Sequence, residues 1–92
     1  MQKNILLDFT GVKDLQEFWK RIRETLDFPD YFGNNLDAMW DCLTDYVDDP
    51  LKVTVRGLKD LPRSFDHWTS GMRDIFRDIT HVCPNVHFTE EI

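Results

Sequence analysis

The chain has 92 residues, with 17 acidic against 11 basic side chains and a formal net charge of −6. That length holds one domain with a single core, and three Trp and seven Phe are enough to pack it without staples. The acidic balance argues against a nucleic-acid binder, which needs a basic footprint, and against anionic membranes; it suits a protein whose charged partner is basic.

Residues 3–9 read as a short strand, because Ile5, Leu6, Leu7 and Phe9 make a nearly continuous apolar run. Such a run is expected where both faces of a sheet are covered. Gly11 marks a turn, and a helix follows from about Asp14. Leu15, Phe18, Trp19, Ile22 and Leu26 keep the rhythm of a buried stripe. Asp14, with Glu17 three residues on, fits a variant of the capping box. Pro29 stops the helix and biases Phe28 to an extended conformation. Gly33 permits a tight loop, and Asn34 or Asn35 caps a second helix. On a helical wheel Leu36, Met39, Trp40, Leu43 and Val47 cluster on one side, with Asp37, Asp41 and Asp45 on a separate arc. Asp48-Asp49-Pro50 ends that helix.

Leu51, Val53 and Val55 alternate with Lys52, Thr54 and Arg56, a second strand with one face more exposed. Residues 57–62 connect it to a third helical region, capped by Ser64 or Asp66. There Phe65, Trp68, Met72, Ile75, Phe76 and Ile79 keep helical spacing. Gly71 interrupts the pattern at a cost of about 1 kcal/mol relative to Ala, which suggests two short helices joined at that point. Pro84 ends the region, and residues 85–89 form a last strand. The order β-α-α-β-α-β implies an α/β domain with three parallel strands joined by right-handed crossovers. Repeats, linkers and low-complexity tracts are absent, so residues 1–92 read as one domain. No apolar run approaches the roughly 20 residues of a membrane span, and Asp8 interrupts a start too short for a signal-peptide core. Cys42 and Cys83 make no disulfide framework; buried free thiols in a reducing cytoplasm are the expectation.

Asp37, Asp41 and Asp45 form a ladder, each step rising about 6 Å along the helix. Exposed charges at that spacing repel by roughly 0.7 kcal/mol in water before salt screening. Asp45, Asp48 and Asp49 also stand where the helix dipole disfavours negative charge. Asp37, in the first turn, serves the cap and dipole; Asp41 and Asp45 have no such excuse. Several local rules broken together point to function rather than stability, against the plainer reading of a solvated face. Tyr31 and Tyr46 flank the ladder, while Trp40 turns toward the apolar stripe.

Enzyme readings are weak. One straight helix cannot wrap six or more oxygens around Ca²⁺. His81 and Cys83 lack a matching second pair of metal ligands, and His67 and His87 stand apart. Ser64 and Ser70 carry no nucleophile signature, and no Gly-rich phosphate loop exists. Neither a catalytic residue nor a cofactor or metal site is expected.

The stretch Pro-Asp-Tyr-Phe-Gly-Asn-Asn-Leu-Asp-Ala-Met-Trp-Asp-Cys-Leu-Thr, residues 29–44, closely resembles the barstar family, intracellular inhibitors of secreted bacterial ribonucleases of the barnase type. The motif is long and irregular, and the order of elements agrees over the whole chain. The resemblance implies a three-stranded parallel sheet packed with three to four helices in two or three layers. It implies that the second helix and the loop before it plug a nuclease active site. By position, Tyr31, Asp37, Trp40 and Asp41 match nuclease-contacting residues. Asp41 matches the central acid that takes the place of an RNA phosphate, and Asp78 matches a peripheral Glu on the last helix. Cys42 and Cys83 fall where the family has its two thiols, the second aligned only roughly. Asp45 stands where the family has a Gly that touches the enzyme, and Tyr46 stands for a Trp. The centre of the contact surface is therefore kept and its rim altered, which bears more on which nuclease is bound than on the type of activity.

The expectation is a cytoplasmic, non-enzymatic inhibitor, monomeric when free, that binds a basic extracellular-type ribonuclease through Tyr31, Asn35, Asp37, Trp40, Asp41, Asp45, Tyr46 and Asp78. It would contact neither nucleic acid nor membrane. Two alternatives stand beside it. One is an interaction module docking the same acidic helix on another basic protein; the other is a metal-dependent enzyme, which a bound metal would reveal.

Overall fold

A computed structural model describes residues 3–30, 32–46 and 50–91, apart from the side chains of Asp45 and Tyr46. Tyr31, Val47, Asp48 and Asp49 lie outside the described residues. The elements run β1 (Lys3–Asp8), α1 (Leu15–Thr25), α2 (Leu36–Tyr46), β2 (Leu51–Arg56), α3 (Asp66–Val82) and β3 (Val86–Glu90). Short 3-10 turns at Leu58–Asp60 and Arg63–Phe65 link β2 to α3.

The sheet is three-stranded and fully parallel, in the order β1-β2-β3. Its register sets Ile5 beside Val53 and Val53 beside Phe88. The alternation in β2 is realised: Leu51, Val53 and Val55 are buried, whereas Lys52 and Arg56 are exposed. The same alternation governs β1, where the sequence had suggested cover on both faces. Leu7 is fully buried but Leu6 is 44% exposed. Successive side chains of a strand point to opposite faces, and the helices cover only the face that Leu7 shares with Val53. The molecule is thus a two-layer α/β domain with one open sheet face. Each fully buried Leu or Val contributes roughly 1.5–3 kcal/mol relative to exposure.

Helix α1 begins as its sequence indicates. Asp14 has extended backbone, and its carboxylate accepts from the Glu17 backbone N–H at 2.8 Å. Glu17 does not complete the box; its carboxylate accepts from Arg21 Nε at 2.8 Å. Arg21 also donates to the backbone carbonyl of Asp8 at 2.8 Å, which ties α1 to the end of β1. Phe18, Trp19 and Ile22 are buried. Phe18 stacks on Phe9 at 4.9 Å between ring centroids, and Trp19 meets Trp68 edge-on at 5.4 Å. Aromatic pairs in these geometries add about 0.5–1.5 kcal/mol each beyond their burial.

The third helical region departs from expectation twice. Neither Ser64 nor Asp66 caps it; the residue before the helix is Phe65, with helical backbone and no side-chain cap. Capping requires an extended residue from which the side chain reaches forward. The 3-10 turn instead runs straight into α3 and buries Phe65 in the core. Second, α3 is one unbroken helix of 17 residues, not two joined at Gly71. A Cβ placed on Gly71 would collide with Leu36 Cδ1 and would stand 3.4 Å and 3.5 Å from Leu36 Cγ and Cδ2. Gly71 is therefore a seat for a side chain of α2, not a break. Helical packing of Met72, Ile75 and Ile79, all buried, outweighs the glycine's poor propensity of about 1 kcal/mol.

Candidate acidic interaction surface

The loop before α2 is nailed into the core by two rings. Phe28 and Phe32 are buried, 5.0 Å apart, and Phe32 also meets Trp19 at 5.9 Å. Asp27 and Asp30, on the same loop, are exposed. Asn34 sits at φ 51°, in the left-handed region that Asn tolerates better than most residues. Asn35 then closes the helix end. Its Oδ1 accepts from the Ala38 backbone N–H at 2.7 Å, and its Nδ2 donates to the Gly33 carbonyl at 3.0 Å. Both ends of the Asn35 amide are thus engaged within the loop.

This cap fixes the rotation of α2. Met39 and Leu43 are fully buried, Trp40 is half-buried against the core, and Asp37 and Asp41 are exposed. The backbone of Asp45 and Tyr46 belongs to α2; their side chains, like all of Tyr31, lie outside the described residues.

Among the described residues no base pairs with Asp37 or Asp41; the ion pairs join Arg21 to Glu17, Arg56 to Glu91, Arg73 to Glu90, and Arg77 to Asp74 and Asp78. The segregation is wider than a ladder of aspartates. Residues 24–51 hold eight acids (Glu24, Asp27, Asp30, Asp37, Asp41, Asp45, Asp48 and Asp49) and no Lys, Arg or His. The rest of the chain holds nine acids against eleven bases, so it is slightly positive. Net charge spread for solubility would not divide this way. Helical periodicity overlooked Glu24, Asp27 and Asp30; the bare gap in basic residues would have found them.

Asp78, the expected contact residue on α3, lies on the flank of that helix that Gly71 turns to α2. It lies seven residues after Gly71 on α3, which returns it to within about 20° on the helical wheel. Because Gly71 faces Leu36 of α2, Asp78 stands on the α2 side. It is exposed and accepts from Arg77 Nε at 3.0 Å. Among the described residues no group of three or more His, Cys, Asp or Glu is placed to hold an ion, and no helix is long and apolar enough to cross a membrane. Cys42 and Cys83 are half-buried rather than buried.

The family described as Barstar (barnase inhibitor) matches residues 2–89, nearly the whole chain. The chain belongs to the barstar family. A Bacillus subtilis (strain 168) protein named "Putative ribonuclease inhibitor YrdF" is 39% identical over 57 residues. That match takes in 62% of this chain and 63% of the relative's length. The parallel three-stranded sheet and three α-helices accord with the barstar fold.

Proposed function

We propose that residues 1–92 act as one domain that inhibits a basic, barnase-type ribonuclease by presenting carboxylates where RNA phosphates bind. The observation that carries this reading is the pair of exposed carboxylates on α2, Asp37 and Asp41, paired with no base among the described residues, in a chain of the barstar family. A ribonuclease site holds cationic groups arranged for phosphate. A carboxylate fixed on a rigid helix satisfies them without offering a bond to cleave. Asp41 is the central phosphate mimic, and Asp37 and Asp78 extend the charge to either side. Trp40, Tyr31, Asp45 and Tyr46 supply the surrounding contact. Asn35 acts indirectly, since both ends of its amide hold the loop. Inhibition on this reading is occlusion, with no catalytic step and no cofactor. It suits a monomer kept in the cytoplasm against an enzyme destined for export.

The test is hydrolysis of RNA by barnase with the purified protein added. The parent is expected to inhibit stoichiometrically. Asp41→Ala should weaken inhibition by about 100-fold or more, the effect of leaving a basic site unpaired. Raising salt should slow association, because long-range steering is screened. Absence of inhibition by the parent, or equal inhibition by Asp41→Ala, overturns the proposal. Tight, Asp41-dependent binding to a different basic protein would instead favour a non-inhibitory module.

A further inference from the structure

We infer that Gly71 is a positioning residue for the inhibitory surface: it lets Leu36 seat on α3, and that seat fixes the carboxylates of α2 relative to Asp78. The inference rests on the inhibitor reading above. Leu36 is the first residue of α2, between the cap Asn35 and the acid Asp37. The whole end of its side chain lies over Gly71, with Cγ, Cδ1 and Cδ2 all within contact of the place a Cβ would occupy. A helix moves as a rod, so displacing its first residue displaces Asp37 and Asp41 with it. Asp78 is on α3 itself, about two turns beyond the seat. The contact thus sets the spacing between acids on two different helices. Glycine in a helix interior is otherwise disfavoured, and its neighbours Met72 and Ile75 already pack the core side of α3.

The test moves one carbon from Leu36 to position 71. Gly71→Ala adds a methyl where Leu36 Cδ1 lies, and Leu36→Val removes the δ-carbons. Amide NMR shifts of the free protein and inhibition of barnase are read for the parent, Gly71→Ala and the double variant, at a temperature where all are folded. In Gly71→Ala the shifts are expected to move through Leu36–Asp41, with inhibition weakened about tenfold. In the double variant both should return toward the parent. Shifts confined to Leu36 and residues 70–72 would mean that the leucine rotated in place, and would overturn the inference. Lost inhibition that Leu36→Val fails to restore would also overturn it, since general destabilisation is not cured by a second substitution. If the parent itself does not inhibit barnase, the functional proposal falls, while the shifts still decide whether Gly71 sets the position of α2.

Discussion

Replacing Asp41 by Ala should make the free protein more stable. Most substitutions destabilise, so the sign alone is informative. Asp41 is exposed and pairs with no base among the described residues, so nothing favourable is lost from its side chain. Its backbone carbonyl, which accepts from Thr44 Oγ1 at 3.1 Å, is untouched. The charge of Asp37 is one helical step away, about 6 Å along the axis. Repulsion there is roughly 0.7 kcal/mol in water, and a Debye length of about 8 Å at physiological salt reduces it to about 0.3 kcal/mol. Ala is also the better helix former by about 0.6 kcal/mol. The gain is therefore about 1 kcal/mol, which raises the melting temperature of a domain this size by about 4–8 °C. Circular dichroism melts at low salt and near 1 M salt separate the two parts. The propensity share persists at high salt, and the electrostatic share disappears. A lowered melting temperature, or a gain identical at both salt concentrations, would refute the reasoning that Asp41 is held against the interest of its own helix.

Asn35→Ala removes the acceptor of the Ala38 N–H, so stability should fall by about 1 kcal/mol; an unchanged urea midpoint would mean that water replaces the cap at no cost. Asp8 accepts from Thr10, first through its hydroxyl and then through its backbone N–H, and Arg56 and Arg21 add weaker attraction; together these hold its carboxyl below the usual range. Its folded pKa is depressed, so its contribution is complete above the unfolded value of about 3.9 and is lost as pH falls through the folded one. Asp8→Asn should flatten the acid limb of stability in that window, and parallel pH profiles for the two proteins would contradict this. Leu7→Ala should cost about 2–5 kcal/mol, whereas Leu6→Thr should stay within about 0.5 kcal/mol; equal losses in denaturant titrations would show that both sheet faces are covered after all.

Local chemistry was readable where one residue and its near neighbours decide the outcome. Asp14 caps α1 as its position suggests, and the alternation of β2 states which of its faces is buried. In β1 the same rule was hidden, since Leu6 is as apolar as Leu7 and only the placement of the helices tells them apart. Gly71 was misread because its compensation, Leu36, lies 35 residues earlier in the chain. Ser64 and Asp66 looked like caps because side-chain type is visible in sequence and a preceding 3-10 turn is not. On α2, the exposure of Asp37 and Asp41 on one flank was legible from spacing and charge. Asp78 came only from resemblance, since no periodicity within α3 reveals that its flank faces α2.

The separation of charge along the chain has a consequence before any contact is made. A segment carrying eight acids and no base, set against a remainder with two more bases than acids, gives the protein an electric dipole as well as a net charge. On the proposed inhibitor reading, net charge sets how strongly the basic enzyme attracts it, and a dipole in that enzyme's field experiences a torque. The molecule would therefore arrive already turned, α2 foremost. Fewer encounters are wasted on the wrong face, and reversing charges far from the site would slow capture without touching the bound complex.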